Sequence, residues 1–214
     1  MARAASRPEI FPLLAASLGL AGIVTITAPA WAGCPPDPRP TGNCLQFGQS
    51  ALTVDNYGHF DWRASKGQAA SADDFISPSA SYHLCVWDEQ HLVVAADIPT
   101  QPACPGGSCW NDSGDDVQNY VDRSGENGDI RLLNFQGSDS DQTTLHARVF
   151  VNGGIILPVT GDGVIVQASR DDNGKCFEGF VPADDFKLDD KAAFVAKSQI
   201  DLPPAPTASD TTEQ

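Results

Sequence analysis

The stretch SYHLCVWDEQHLVVAA, residues 81–96, decides the fold class. Between residues 81 and 87, an extended chain would point Tyr82, Leu84 and Val86 to one side. His83, Cys85 and Trp87 would point to the other side, an alternation typical of a β-strand. Three polar residues at 88–90 favour a turn, and a largely apolar run follows from His91 to Ala96. The stretch therefore predicts a β-hairpin.

Short strands are predicted through most of the chain beyond this hairpin. They are Val117–Val121, Ile130–Phe135, Leu145–Val151, Ile155–Val159, Val164–Ser169, Cys176–Val181 and Ala193–Ile200. Trp62 and Trp87 lie on or beside apolar strands and are expected in the core. Only residues 182–186, which open with a proline, resemble a helical turn. About ten such strands predict an all-β fold, an antiparallel β-sandwich of jelly-roll or immunoglobulin-like type.

Residues 1–32 are typical of an export signal. Arg3 and Arg7 precede an apolar run, and a small-x-small motif ends at Ala32. A membrane-spanning helix is the alternative interpretation of that run. The residues before Cys34 also resemble a bacterial lipobox, in which this cysteine would carry a lipid. We expect a secreted or periplasmic protein, with a lipid anchor at Cys34 as the alternative.

The rest of the chain divides into three parts. Residues 33–50 form an N-terminal extension that contains cysteines, and residues 51–202 form the β-sandwich. Residues 203–214 are polar and rich in proline, a composition that cannot bury enough apolar surface to fold. We therefore expect a disordered tail after residue 202.

The chain is strongly acidic. It has 13 Lys and Arg residues against 28 Asp and Glu residues, and its net charge is −15. Loss of residues 1–32 would remove two arginines and one glutamate, which leaves a net charge of −16. Nucleic-acid binding needs clustered basic residues, so we expect no nucleic-acid partner. We also expect no transmembrane helix in the mature chain.

Six cysteines follow the predicted signal, and an exported chain meets an oxidising compartment, so disulfides are expected to stabilise the fold. Proximity in sequence suggests two local bonds and leaves one long-range bond, and the three predicted pairs are Cys34–Cys44, Cys104–Cys109 and Cys85–Cys176. The alternative is that Cys85 binds zinc together with His83 of the same strand and His91 across the turn. The chain lacks paired C-x-x-C motifs, so disulfides are favoured.

Familiar catalytic motifs are missing from the sequence. It contains no G-x-S-x-G elbow, no phosphate-binding P-loop, no dinucleotide glycine motif and no H-E-x-x-H zinc motif. None of the four histidines has an obvious Ser or Cys nucleophile beside it. We therefore expect a protein that is not an enzyme.

Four segments in chain order resemble family 9 carbohydrate-binding modules. They are LTVDNYGHFDW at 52–62, VWDEQHLVV at 86–94, Trp110 followed by DVQNYVD at 116–122, and FEGFVPADDF at 177–186. Residues 193–201 fit the last strand of these modules. The resemblance implies a β-sandwich of the kind shared with the DOMON superfamily, which includes sugar-binding and haem-binding members.

The resemblance also implies a ligand site. Trp110 corresponds to the aromatic residue on which the sugar lies, and Arg131 to a polar residue on a following strand. Gln118 stands where these modules carry a carboxylate, and Phe186 and Phe194 are the only late candidates for a second aromatic residue. We expect Trp110, Gln118 and Arg131 to line one shallow groove that binds the end of a saccharide. The alternative is that Trp110 only packs over the 104–109 loop.

Residues 122–129, DRSGENGD, form an oxygen-rich turn, and hard cations prefer oxygen ligands. Asp122, Glu126 and Asp129 are therefore candidate ligands of a structural calcium ion. Modules like those of family 9 often carry such an ion. The alternative is a solvated hairpin loop that binds no metal.

Three functions remain open at this point. The first is a secreted, non-catalytic protein that recognises a glycan or the end of a sugar. The second is a haem-binding, DOMON-type electron carrier, which commonly uses Met and His as axial ligands. The chain has one Met, at position 1, so haem is disfavoured. The third is an extracytoplasmic envelope or interaction protein that has no sugar ligand.

Overall fold

The computed structural model describes residues 33–35, 37–38, 43–88, 91–114, 116–152, 155, 161–189 and 193–202. The strands are β1 (Leu45–Asp55), β2 (His59–Gly67), β3 (Tyr82–Asp88), β4 (His91–Ile98), β5 (Ala103–Cys104), β6 (Gly107–Ser108), β7 (Trp110–Asp112), β8 (Val117–Val121), β9 (Ile130–Gln136), β10 (Thr143–Phe150), β11 (Gly163–Arg170), β12 (Cys176–Pro182), β13 (Phe186–Asp189) and β14 (Ala193–Gln199). Helix α1 spans Ala72–Phe75, and a 3₁₀ helix spans Ala183–Asp185, within the predicted helical turn. The all-β prediction is confirmed.

The predicted hairpin is present as β3 and β4, with Tyr82 opposite Ile98 and Asp88 opposite His91. All seven residues of β3 are buried, although alternation would leave one face exposed. The outer face is covered because Cys85 is bonded to Cys34 and Gly33 packs directly against the ring of His83. Gly33 and Cys34 therefore lie against the outside of this strand.

Most strands form one curled sheet in the order β4-β3-β11-β12-β1-β2-β10-β9-β8-β7. Strand β1 joins its two parts, because its first residues pair with β12 and its remainder pairs with β14 and β2. The β1–β12 pair is parallel, whereas every other described strand pair is antiparallel. The sandwich, jelly-roll or immunoglobulin-like arrangement stays a prediction.

Parts of the predicted segmentation differ from the structure or lie outside the described residues. The boundary predicted between residues 50 and 51 is wrong, because it falls inside β1, which runs without a break from Leu45 to Asp55. Of the predicted strand Ile155–Val159, only Ile155 is described, and it is not in a strand. The signal at 1–32 and the tail at 203–214 lie outside the described residues and stay predictions. No described helix is long and apolar enough to cross a membrane.

The core lies on the inner faces of the curled sheet. Strands approach closely at Gly179, where a side chain would collide with the Ser50 hydroxyl and crowd the ring of Trp62. The largest fully buried side chains are Trp62, Trp87, Tyr82, Tyr120, Phe47, Phe60, Phe75, Phe135, Phe177, Phe194, Leu52 and Leu84. Trp62 and Trp87 are buried as predicted. A packed interior leaves the outer faces of the strands as the surface on which a ligand can bind.

Two of the three predicted disulfide pairs are wrong. The structure has Cys34–Cys85 and Cys44–Cys176, with Cα–Cα distances of 5.7 and 4.7 Å, whereas Cys104–Cys109 forms as predicted. Proximity in sequence failed because residues 34 and 44 lie beside different strands, β3 and β12, and each cysteine bonds to the strand beside it. No cysteine is free, which excludes Cys85 as a zinc ligand.

Candidate functional site

Trp110 is a core residue. Its side chain is only 6% exposed. It packs between Tyr82 and Tyr120, at ring-centroid distances of 5.2 and 5.1 Å. A sugar stacks on an open aromatic face, and little of Trp110 is open, although the residue borders a surface groove with Pro78 and Pro102. Trp110 therefore holds the β7–β8 hairpin onto the core.

The other two predicted ligands of the saccharide lie apart from each other. Gln118 of β8 is opposite Phe135 of β9, four residues along the strand from Arg131, or about 13 Å. Arg131 falls at a β-bulge, because its neighbours Ile130 and Leu132 pair with consecutive residues of β10. Trp110, Gln118 and Arg131 do not form one groove.

The oxygen-rich turn is organised around a fully buried carboxylate, that of Asp122. Its Oδ1 accepts hydrogen bonds from the Ser124 hydroxyl and from the backbone N–H groups of Ser124 and Gly125, at 2.7, 3.0 and 2.8 Å. Its Oδ2 accepts from the backbone and side chain of Asn127, at 2.9 and 3.3 Å. Burial acts to raise the pKa of Asp122, but these hydrogen bonds lower it from 3.8 to about 2. Asp122 shapes the turn.

The three predicted calcium ligands are not gathered around one point. Glu126 is exposed, and Asp129 is half-buried, with a pKa raised by burial and by the nearby charge of Asp97. No group of three or more His, Cys, Asp or Glu side chains in the described part of the chain forms a metal site. Calcium binding by Asp122, Glu126 and Asp129 stays a prediction.

A different set of polar residues does converge, on the outer faces of β1, β2, β9 and β10. They surround a groove of about 250 Å³, which we name the Arg131 groove. Its lining residues are Thr53, Asp55, His59, Phe60, Asp61, Arg131, Arg148, Val149 and Phe150.

Asp61 contacts three basic side chains on this surface. Its carboxylate lies 3.0 Å from Arg63 Nε, 3.1 Å from His146 Nε2 and 2.8 Å from Arg148 Nε. Partial burial acts to raise the pKa of Asp61, but hydrogen bonds with His146 and Arg148 lower it below its ordinary value. The carboxylate is therefore ionised at neutral pH, and it fixes the direction of the surrounding side chains.

A second carboxylate stands at the β1–β2 turn. Asp55 accepts hydrogen bonds from the backbone N–H groups of Tyr57 and His59, both at 3.0 Å, and its Oδ2 lies 2.8 Å from His59 Nδ1. Burial acts to raise the pKa of Asp55, but the contacts with His59 lower it. Tyr57 is 75% exposed at the tip of this turn, where its ring is free to contact a ligand.

Phe150 forms the apolar part of the groove. Its ring centroid is 5.0 Å from that of His59, and Arg131 lies over the ring at 5.9 Å, within the range of a cation–π interaction. The groove thus offers an aromatic ring beside charged, planar groups. This combination suits a ligand that has both C–H faces and hydroxyl groups.

The Asp122 turn holds Arg131 in place. The guanidinium packs against Gly125, where any side chain would collide with it, and Nη1 donates to the Gly128 carbonyl oxygen at 3.3 Å. Gly125 has a φ of +73°, a left-handed conformation that glycine adopts without strain. The turn therefore positions a groove residue.

Sequence reasoning found Arg131 and missed the rest of the groove. The sequence of β10 could have predicted these residues. Its alternation places Leu145, Ala147 and Val149 inward and leaves the residues between them outward. Those outward positions hold His146, Arg148 and Phe150, which share the sheet face with the polar residues of β2.

The chain matches no protein-family model, no curated protein and no solved structure. The resemblance to family 9 carbohydrate-binding modules and to the DOMON superfamily therefore stays a prediction from its four segments.

Proposed function

We propose that this protein is an exported, non-catalytic saccharide-binding protein, and that the Arg131 groove is its binding site. One observation carries the proposal. Two ionised carboxylates, two arginines and a half-buried phenylalanine converge on one open groove. Carboxylates accept hydrogen bonds from sugar hydroxyls, guanidinium groups donate to ring and hydroxyl oxygens, and the aromatic ring packs on C–H groups.

The size of the groove supports one sugar unit. Its volume of about 250 Å³ is slightly below the range of roughly 300–1,000 Å³ for sites that bind drug-sized ligands. The groove is also open and shallow, so the affinity expected is weak, on the order of 10 µM to 1 mM. These features fit recognition of a chain end better than recognition of a long glycan.

Export is part of the proposal. Three disulfides and no free cysteine are typical of proteins that mature in an oxidising compartment. The signal predicted at residues 1–32 would send the chain there. The β-sandwich arrangement predicted from sequence belongs to the same hypothesis, since outer sheet faces of such folds present shallow sites.

The test is a glycan array followed by calorimetry on the best ligand. We expect Arg131→Met to weaken binding at least tenfold while the melting temperature changes little. Arg123→Met is the matched control, because Arg123 is an exposed arginine of the 122–129 turn and does not line the groove. Binding that survives Arg131→Met unchanged would place the ligand elsewhere, and no binding to any glycan would contradict the function.

A further inference from the structure

We propose that the bound sugar is acidic, with its carboxylate held by Arg131 and Arg148. This inference rests on the proposed function and names the chemical class of its ligand. Its starting point is an uneven distribution of charge. Three of the five described arginines, at positions 63, 131 and 148, lie on one sheet face of a chain whose net charge is −15.

Arg131 has no anionic partner of its own. No carboxylate lies within 4 Å of its guanidinium among the residues that the structure describes. The contacts present are with the Gly128 carbonyl oxygen and the Phe150 ring. Asp129 is close enough to interact electrostatically, but beyond ion-pair distance. A ligand carboxylate at this position would supply the missing anion and accept charge-assisted hydrogen bonds from the guanidinium.

Only one of the three guanidinium nitrogens of Arg148 contacts a carboxylate of a described residue. Arg148 contacts Asp61 through Nε alone, and Asp61 also receives Arg63 and His146, so one carboxylate serves several cationic or donor groups. The terminal nitrogens of Arg148 donate no other hydrogen bond to a described residue. They are therefore free to bind a ligand oxygen.

The two arginines are neighbours in the sheet because of the β-bulge. Arg148 of β10 pairs with Leu132, and the next residue, Val149, pairs with Ile130, so Arg131 is the extra residue beside Arg148. Both line the same groove. Guanidinium forks bind planar carboxylates in a bidentate manner, which suits the carboxylate of an acidic sugar. The hydroxyl groups of the same sugar would face Asp55 and Asp61.

The test titrates the full protein with trisaccharides of glucuronate, galacturonate and mannuronate and with the neutral trisaccharides of glucose, galactose and mannose. At least one uronate should bind ten or more times as tightly as its neutral counterpart. Arg131→Met and Arg148→Met should each remove that preference, whereas Arg123→Met should keep it. Circular dichroism melting checks that each variant is folded.

Three other results would overturn the inference. If neutral and acidic sugars bind equally in the groove, the ligand class is wrong but the proposed function stands. If a sulfated galactan binds more tightly than every uronate, the site recognises sulfate. If no saccharide binds, both the inference and the proposed function fail.

Discussion

At the residue scale, Asp122 links acid stability to the turn that supports the groove. Its pKa is lowered from 3.8 to about 2, so its stabilising contribution is complete above pH 3.8 and is lost as the pH falls toward 2. The shift corresponds to about 2–3 kcal/mol. Asp122→Asn should lower the free energy of unfolding by about this amount near pH 6. In urea titrations the difference from wild type should shrink near pH 2.5, and a constant difference would contradict this role.

Trp110 is expected to matter for stability. Trp110→Ala removes a side chain that is 6% exposed and packed against two tyrosines, so it should cost about 3–5 kcal/mol. Trp110→Phe keeps an aromatic ring there and should cost much less. Chemical denaturation measures both, and an alanine variant as stable as wild type would mean that the ring is a surface platform after all.

Residue-level failures of the sequence prediction share one physical cause. Trp110 sits between a Gly-rich loop and a polar stretch, which locally resembles a surface site, yet distant Tyr82 covers it. Arg131 reaches the groove only because a β-bulge interrupts the pairing of β9 with β10. Burial and bulges depend on contacts between distant parts of the chain, which local spacing does not report.

At the element scale, the 122–129 turn should control binding through Arg131. Gly125→Ala places a methyl group where the guanidinium lies, in addition to a backbone cost of about 1–2 kcal/mol for a φ of +73°. Gly174→Ala is the matched control, because Gly174 has a φ of +68° and open space around it. Both variants should lose similar stability in thermal melts, and only Gly125→Ala should lose saccharide affinity. Equal affinity of the two would show that the turn does not position Arg131.

Element prediction succeeded where alternation is regular. The β3–β4 hairpin, β8, β9, β11 and β12 were found to within two residues at each end. Strand β1 was missed because it exchanges partners along its length, pairing first with β12 and then with β14 and β2, and no local pattern encodes such a change.

At the scale of the whole molecule, the long disulfide should contribute more than the short one. Cys44–Cys176 closes a separation of 132 residues and Cys104–Cys109 one of 5, which corresponds to about 5 and about 2 kcal/mol in the chain-entropy model. Replacing each pair by alanines should therefore reduce the free energy of unfolding unequally, as urea titrations would show. Non-reducing peptide mapping that linked Cys34 to Cys44 would contradict the connectivity itself.

The pairing of the six cysteines shows why the arrangement of the whole molecule could not be predicted from local sequence patterns. Export chemistry predicted that all six would be oxidised, and none is free. Which cysteines meet depends on the path of the chain before β1 across β3 and β12, a property of the folded molecule.

The most direct test of the central claim is a ¹⁵N-labelled protein spectrum recorded while the strongest saccharide from the array is added. If the Arg131 groove is the binding site, backbone signals of residues 53–61 and of Arg131, Arg148 and Phe150 should shift together and saturate with one dissociation constant. Signals of the hairpin formed by β5 and β6, and of Trp110 beside it, should remain unchanged. Shifts confined to that hairpin, with none in the groove, would contradict the claim.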